Sequence, residues 1–305
     1  MFKTFPEFSK LTLKDREEYE AFIKDLPPIS DISLVKLLCW WNQLNSLAVA
    51  ELEGNLVISY WMPGDEKNSG LSLVGTKNVD VAMCEILDNL KEKDEPVRLV
   101  HVPEFVVTSL RYPEQFIFTQ ERDYDECVVD LRNLYPLPKT KSSIQPEIRR
   151  SLARTATDRI KVKSLDLKSF VNRQILLEAD RRWHRKGSLN DTLRDRHQAV
   201  QTAVTIAPTI GLENICLSID GELQSFLLFK QPTDETYVQC YLFNLNYDIP
   251  GLLELMIYHY AKWFTERGFL YANIDSDLGL PMLRTFRLKL GPVNFFRKYT
   301  IEPAK

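Results

Sequence analysis

Between Leu47 and Trp61 the chain reads LAVAELEGNLVISYW, two apolar runs around Glu53-Gly54-Asn55. Between Asn214 and Phe229 it reads NICLSIDGELQSFLLF, the same pattern around Asp220-Gly221-Glu222. An acidic residue, a glycine, a polar residue and a leucine between apolar runs predict a tight β-hairpin, because glycine adopts the positive φ that the turn requires. The two turns lie 167 residues apart. The segments downstream of the turns also correspond: the spacing predicts a helix over 79–90 and a strand over 97–102 after the first, and a longer helix over 252–267 and a strand over 269–274 after the second. A short helical piece, 104–110 or 281–288, and an aromatic strand, FIFT or FFRKYTI, come next in each half. One α/β unit is used twice.

Helices are also expected before each hairpin. Residues 32–44 place Leu34, Leu37, Leu38 and Trp41 on one face, a period that burial explains. Residues 168–186 follow a cap at Asp166, turn Phe170, Ile175, Leu177 and Trp183 inward, and end at Gly187. In a third helix, 143–157, Ile148, Leu152 and Thr155 form the inner stripe, with Arg150 and Arg154 one turn apart outside it. The proline-rich stretch 135–141 marks a junction, which gives an N-terminal lobe over 1–134 and a C-terminal lobe over 135–305. The helix over 252–267 is apolar on nearly every side, Glu254, His259 and Lys262 excepted, so it belongs between layers. Its strand-helix-strand crossover brings strand ends and a helix N-terminus to one sheet edge, where open α/β sheets bind ligands.

Composition narrows the class. With 305 residues, 44% hydrophobic and 27% charged, the chain can bury a large core. Five scattered cysteines without Cys-x-x-Cys spacing argue against a disulfide frame or a zinc site and fit buried small apolar side chains in a reducing cytoplasm. No signal peptide is read at the N-terminus and no apolar run is long enough to span a membrane. The net charge of −3 hides an asymmetry: residues 139–196 carry sixteen Lys and Arg against seven Asp and Glu, leaving −12 elsewhere. That basic segment suits the phosphates of tRNA or coenzyme A, or is a set of solvated helix faces. The four histidines lack metal-ligand spacing, and no Gly-x-Ser-x-Gly elbow, Walker loop or Rossmann fingerprint is present. A metalloenzyme, a serine hydrolase and a nucleotide kinase are excluded on those grounds, and no metal or tightly bound cofactor is expected.

The tail NIDSDLGLPMLRTFRLKLGPV (273–293) concentrates charge and backbone punctuation directly after an apolar strand. Asp275 and Asp277 are candidates for general-base work, or for an Asx-type turn before the Pro281 helix. Asn273, Asp277, Gly279, Leu283, Arg284, Arg287 and Pro292 reproduce a spacing that resembles the C-terminal signature of phosphatidylglycerol lysyltransferases. Asp123-Tyr124, residues 131–134, Asp220-Gly221 and residues 241–253 fall in the same order. The resemblance implies tandem GNAT-like lobes, each a mixed, mostly antiparallel sheet flanked by helices, distantly similar to Fem-type transferases that draw on aminoacyl-tRNA. Two departures stand out: Arg287 where relatives have Lys, and Gln145-Pro146 where relatives have Arg-Asn. The membrane-spanning half of the lipid synthases has no counterpart, so a lipid acceptor is not implied.

The expected activity is transfer of an aminoacyl or acyl group onto an amine or hydroxyl. Asp275, Asp277 and Tyr241 are the catalytic candidates. Asn244, Gly251, Asn273, Gly279, Arg284, Arg287, Lys289, Arg149, Arg150 and Arg154, with Lys139 and Lys141, are the donor- and substrate-binding candidates. The donor is aminoacyl-tRNA or acyl-CoA. The stretch YDIPGLLELM has Gly251 alone where the coenzyme A loop of acetyltransferases carries two small residues, which tips the balance to aminoacyl-tRNA. A CoA-dependent N-acetyltransferase and a non-catalytic module that binds tRNA or another phosphate ligand are the alternatives.

Overall fold

A computed structural model describes residues 2–41, 47–60, 69–137, 143–184, 191–232 and 234–304. The first half contributes β1 (Ser9–Lys10), β2 (Ala48–Leu52), β3 (Asn55–Tyr60), β4 (Gly70–Val74), β5 (Leu99–Pro103), β6 (Phe116–Gln120) and β7 (Glu126–Asp130). The second contributes β8 (Ile160–Lys163), β9 (Glu213–Ile219), β10 (Glu222–Lys230), β11 (Tyr237–Leu245), β12 (Tyr271–Ser276), β13 (Pro292–Phe296) and β14 (Lys298–Pro303). Both expected hairpins form. Glu53 and Gly54, like Asp220 and Gly221, all have positive φ, the backbone of a two-residue turn matched to strand twist.

The strands make two seven-stranded sheets, in the orders β1-β2-β3-β4-β5-β14-β6 and β13-β7-β12-β11-β10-β9-β8. Read from the β1 and β8 ends, the two orders are the same except for one exchange. β14, from the end of the chain, lies between β5 and β6, and β7, from the first half, lies between β12 and β13. Residues on both sides of the expected boundary at 134 therefore build each sheet, and the predicted strand FFRKYTI divides between them as β13 and β14.

Helices fill the spaces in layers. α1 (Arg16–Ile23) and α2 (Leu34–Cys39) precede the first hairpin; α3 (Val79–Glu92) and α4 (Glu104–Val107) flank β5. α5 (Gln145–Arg154), α6 (Phe170–His184), α7 (Asp191–Ile210), α8 (Leu252–Thr265) and α9 (Pro281–Lys289) belong to the second half. α3 packs Ala82, Met83 and Ile86 on the outer face of the first sheet with Val57 and Leu73. α2, α6 and α7 lie between the sheets, meeting Leu56 and Ile58 from one and Phe226, Leu228 and Leu242 from the other. α5 and α8 cover the far face of the second sheet against Leu227 and Phe229. Each buried leucine-sized side chain contributes about 1.5–3 kcal/mol, so the middle layer ties both lobes into one core.

Several sequence expectations change. α6 starts at Phe170 rather than 168; Asp166 instead accepts from the Lys168 amide at 2.9 Å and holds the preceding turn. Phe170 and Ile175 are exposed, while Leu177 and Trp183 turn inward as expected, because the buried stripe runs through Leu176, Ala179, Asp180 and Trp183. α7 was not expected, although Ala199, Val200, Ala203, Val204 and Ala207 recur at helical spacing and are all buried. Of the five free cysteines Cys84 is exposed, and Cys39, Cys127 and Cys216 are buried.

Candidate functional site

β11 and β12 run parallel but pair only over Tyr237–Gln239 and Tyr271–Asn273. Beyond Gln239 they part, and β12 carries a bulge against β7 between Asn273 and Ser276. The bulge places Asp275 at φ +72°, so its side chain leaves the normal pleat. The wedge between the strands, closed by α8 and α9, is a cavity of about 120 Å³. Cys240, Tyr241, Ile274, Asp275, Phe286 and Arg287 are on its wall, with Met256, Tyr260 and Ala261 of α8.

Asp275 is buried. Its Oδ1 accepts from the Ser276 amide at 2.8 Å and its Oδ2 from the ammonium of Lys36. Burial pushes the carboxyl upward, but the charges of Lys36 and Arg287 and the Lys36 hydrogen bond pull it below the usual range. Lys36 belongs to α2, the only polar side chain of a wholly buried helix, so the N-terminal segment reaches Asp275 on the wedge wall. Arg287 is 6% exposed, and its Nε has no hydrogen-bond partner. Burial lowers its pKa, with Asp275 working in the opposite direction.

A buried polar cluster backs this wall. Glu126, on the exchanged strand β7, accepts from the amides of Ser30 (2.6 Å) and Asp31 (2.9 Å), from Asn273 Nδ2 (2.5 Å) and from Lys298 Nζ (3.0 Å). Lys298, on the exchanged strand β14, also donates to Asp31. Burial raises the Glu126 carboxyl, with Lys298 opposing. Oxygens of Asp31, Glu126 and Asp275 all lie within 4.8 Å of one another, a spacing that suits a cation, and ammonium groups of Lys36 and Lys298 supply the positive charge there.

The remaining candidates separate into structural and peripheral positions. Asp277 is fully buried: Arg284 donates to both its oxygens (3.1 and 2.9 Å), Arg122 to Oδ2 (3.1 Å) and the Gly279 amide to Oδ1 (3.1 Å). Arg284 also reaches Asp123, and a Cβ at Gly279 would stand 2.8 Å from Asp123 Oδ2. This knot explains Asp277, Gly279 and Arg284 as loop architecture. Asn273 is spent on Glu126 and on the Asp275 amide (2.9 Å). Tyr241 donates to Gln239 Oε1 at 2.6 Å, and burial raises its pKa, so the phenol is neutral at physiological pH. Asn244 points to the α6/α7 face and donates to Asp180 Oδ1 at 2.6 Å, and Asp180 also binds His197.

Gly251 caps α8 at φ +80°, where a Cβ would meet Ser151 Oγ at 2.6 Å, so α5 lies close over the helix N-terminus. Arg149, Arg150 and Arg154 are exposed on α5, and Lys289 pairs with Glu147 at 3.0 Å. α5 and α9 therefore put basic groups on the α8 side of the second sheet, while α6, which carries Arg173, Arg181 and Arg182, lies on the other side. Lys139 and Lys141 lie outside the described residues. The departure Gln145 is buried and donates to the Asn133 carbonyl at 3.2 Å, a structural contact. His259 is held down to about 4 by burial and by Lys262.

The sequence reading missed Lys36, Glu126 and Lys298. The only signal was a lysine inside an otherwise apolar helix; the partners are 239 and 172 positions apart.

The family described as phosphatidylglycerol lysyltransferase, C-terminal, matches residues 35–302. No curated protein matches the chain. Among solved structures, a conserved protein of unknown function from Bacteroides thetaiotaomicron VPI-5482 superposes with a TM-score of 0.78 at 20% identity, covering 97% of this chain and 99% of its own. L-PGS from Bacillus licheniformis gives 0.60 at 17% identity, covering 95% and 92%. FemX gives 0.53 at 11% identity, covering 98% and 97%. These likenesses show that the chain shares the fold of those proteins. No helix among the described residues is long and apolar enough to cross a membrane.

Proposed function

The chain belongs to the phosphatidylglycerol lysyltransferase, C-terminal, family, and from that membership we propose that it transfers an aminoacyl group from aminoacyl-tRNA to an amine or hydroxyl acceptor. The observation that carries this reading is the wedge between β11 and β12, a partly open cavity with Tyr241, Asp275 and Arg287 on its wall. A cavity near 150 Å³ takes a benzene ring, so roughly 120 Å³ suits an acyl side chain and not a whole cofactor. The exposed arginines of α5 are on the same side and serve the tRNA phosphates.

In the proposed reaction the acceptor amine bonds to the ester carbonyl carbon and the ester C–O bond to the tRNA ribose breaks. The amine's proton ends on the ribose oxygen. Tyr241, a neutral phenol, leaves its acceptor Gln239 Oε1, donates its proton to that ribose oxygen and regains one from the amine. Asp275, held ionised by Lys36, is a weak base; its task is to keep Arg287 charged and placed.

The test is to incubate the protein with a panel of radiolabelled aminoacyl-tRNAs and a small-molecule extract, then track label into new products. One aminoacyl-tRNA is expected to lose its label faster than by spontaneous hydrolysis, with a labelled product formed. Acetyl-CoA consumption with all aminoacyl-tRNAs inert would replace this reading by the acyl-CoA one. Tight tRNA binding with no turnover of either donor would favour a binding module.

A further inference from the structure

Among the described residues, Arg287 is a buried charge with a donor left unfilled. It is 6% exposed, lines the wedge cavity, and its Nε–H meets no acceptor. A buried donor without a partner costs about 1–3 kcal/mol, more when charged, so an acceptor supplied by a ligand would remove a penalty that is otherwise standing. The rest of the cavity offers little competition, because its wall is mainly Leu227, Phe243, Met256, Ile257, Phe264 and Phe286.

The charge balance selects the kind of acceptor. On the wall and behind it, Asp31, Glu126 and Asp275 face Lys36, Lys298 and Arg287, three carboxylates against three cations. A group carrying a further charge would unbalance a site removed from water. A cationic side chain would find the oxygens of Asp275, the carboxylate on the wall, already taken by Lys36 and the Ser276 amide, and would bring a donor toward a guanidinium that lacks an acceptor. An uncharged oxygen acceptor satisfies Nε and leaves the balance intact. Size sets a further limit: scaled from benzene in about 150 Å³, the cavity holds roughly five heavy atoms.

We propose that the cavity selects an uncharged acyl side chain of about five heavy atoms or fewer that carries a hydrogen-bond acceptor, of the glutamine type, with Arg287 as the residue that reads it. This rests on the transferase reading above and makes the chain's donor preference unlike that of a lysine-specific enzyme.

The experiment is isothermal titration calorimetry of the full chain with the amides of L-glutamine, L-methionine and L-lysine, whose α-amino groups are identical. L-Glutamine amide is expected to bind at least about tenfold tighter than L-methionine amide, with L-lysine amide weakest. Arg287→Met is expected to erase the glutamine-methionine difference. Lysine amide binding as tightly as glutamine amide, no binding of glutamine amide, or an undiminished preference in Arg287→Met would each overturn the proposal. If Arg287→Met does not melt cooperatively, the wild-type ranking decides alone. Turnover of the aminoacyl-tRNA panel separates the two ideas. The expected ranking without turnover sinks the transferase and leaves the cavity's selectivity standing, whereas turnover of lysyl-tRNA in preference to glutaminyl-tRNA sinks the selectivity alone.

Discussion

Two aspartates two residues apart have opposite circumstances. Asp277 has its oxygens filled by Arg284, Arg122 and a backbone amide, whereas Asp275 faces a cavity with one lysine partner. Asp277→Asn is expected to lower the unfolding free energy by about 2 kcal/mol, since Arg122 loses its carboxylate and Arg284 keeps only Asp123; urea denaturation measures it. A second acid tests pH linkage. Glu121 pairs with His101 at 2.5 Å. Burial would raise its carboxyl, yet the hydrogen bond and charge of His101 and the Thr300 hydroxyl bring it down from 4.5 to about 2. A depressed carboxyl contributes stability above its unfolded pKa and loses it as pH falls toward the folded value. Wild-type stability is therefore expected to drop by on the order of 3 kcal/mol more than that of Glu121→Gln between about pH 4.5 and 2, as read from denaturation midpoints at stepped pH.

Among the elements, the bulges in β5 and β12 are counterparts. Leu99 and Val102 pair with Ile301 and Tyr299, and Asn273 and Ser276 with Val128 and Glu126, so in each case two residues oppose one. His101 and Asp275 occupy the same bulge position, both at positive φ. The fold thus supplies the special backbone twice, and the side chains there decide what each lobe does with it. Hairpins, α8 and the tail knot were legible in the sequence because they depend on local spacing: a glycine at a turn, an apolar helix, an Asp-x-Gly loop before Pro281. The exchange of β7 and β14 was not, because two equivalent strands satisfy either sheet and the choice rests on contacts far apart in the chain. α7 was missed although its alanine and valine spacing was available. Gly251→Ala is expected to destabilise by about 1–3 kcal/mol through its positive φ and the clash with Ser151. Ser151→Gly in the same chain should return the steric part, and a thermal melt of both variants checks it.

At the scale of the molecule, exchanged strands and a shared middle layer should make the lobes unfold together. Calorimetry is expected to give one transition, and two separated transitions would mean that the exchange does not couple them. Lys298→Met leaves Asp31 and Glu126 buried without their common cation and is expected to cost about 3–5 kcal/mol. The wedge itself was only half visible beforehand: Tyr241, Asp275 and Arg287 were named from the sequence, but Lys36 comes from the first half and the cavity forms where β11 and β12 part beneath α8. The central claim is that this cavity receives the donor's acyl side chain. Ala261→Leu fills it from α8 without touching a charged group, so the most direct measurement is aminoacyl-tRNA turnover by this variant against wild type, with melting curves confirming equal folding. The account predicts a fall in kcat/KM of at least about a hundredfold; a folded Ala261→Leu protein with wild-type turnover would contradict it.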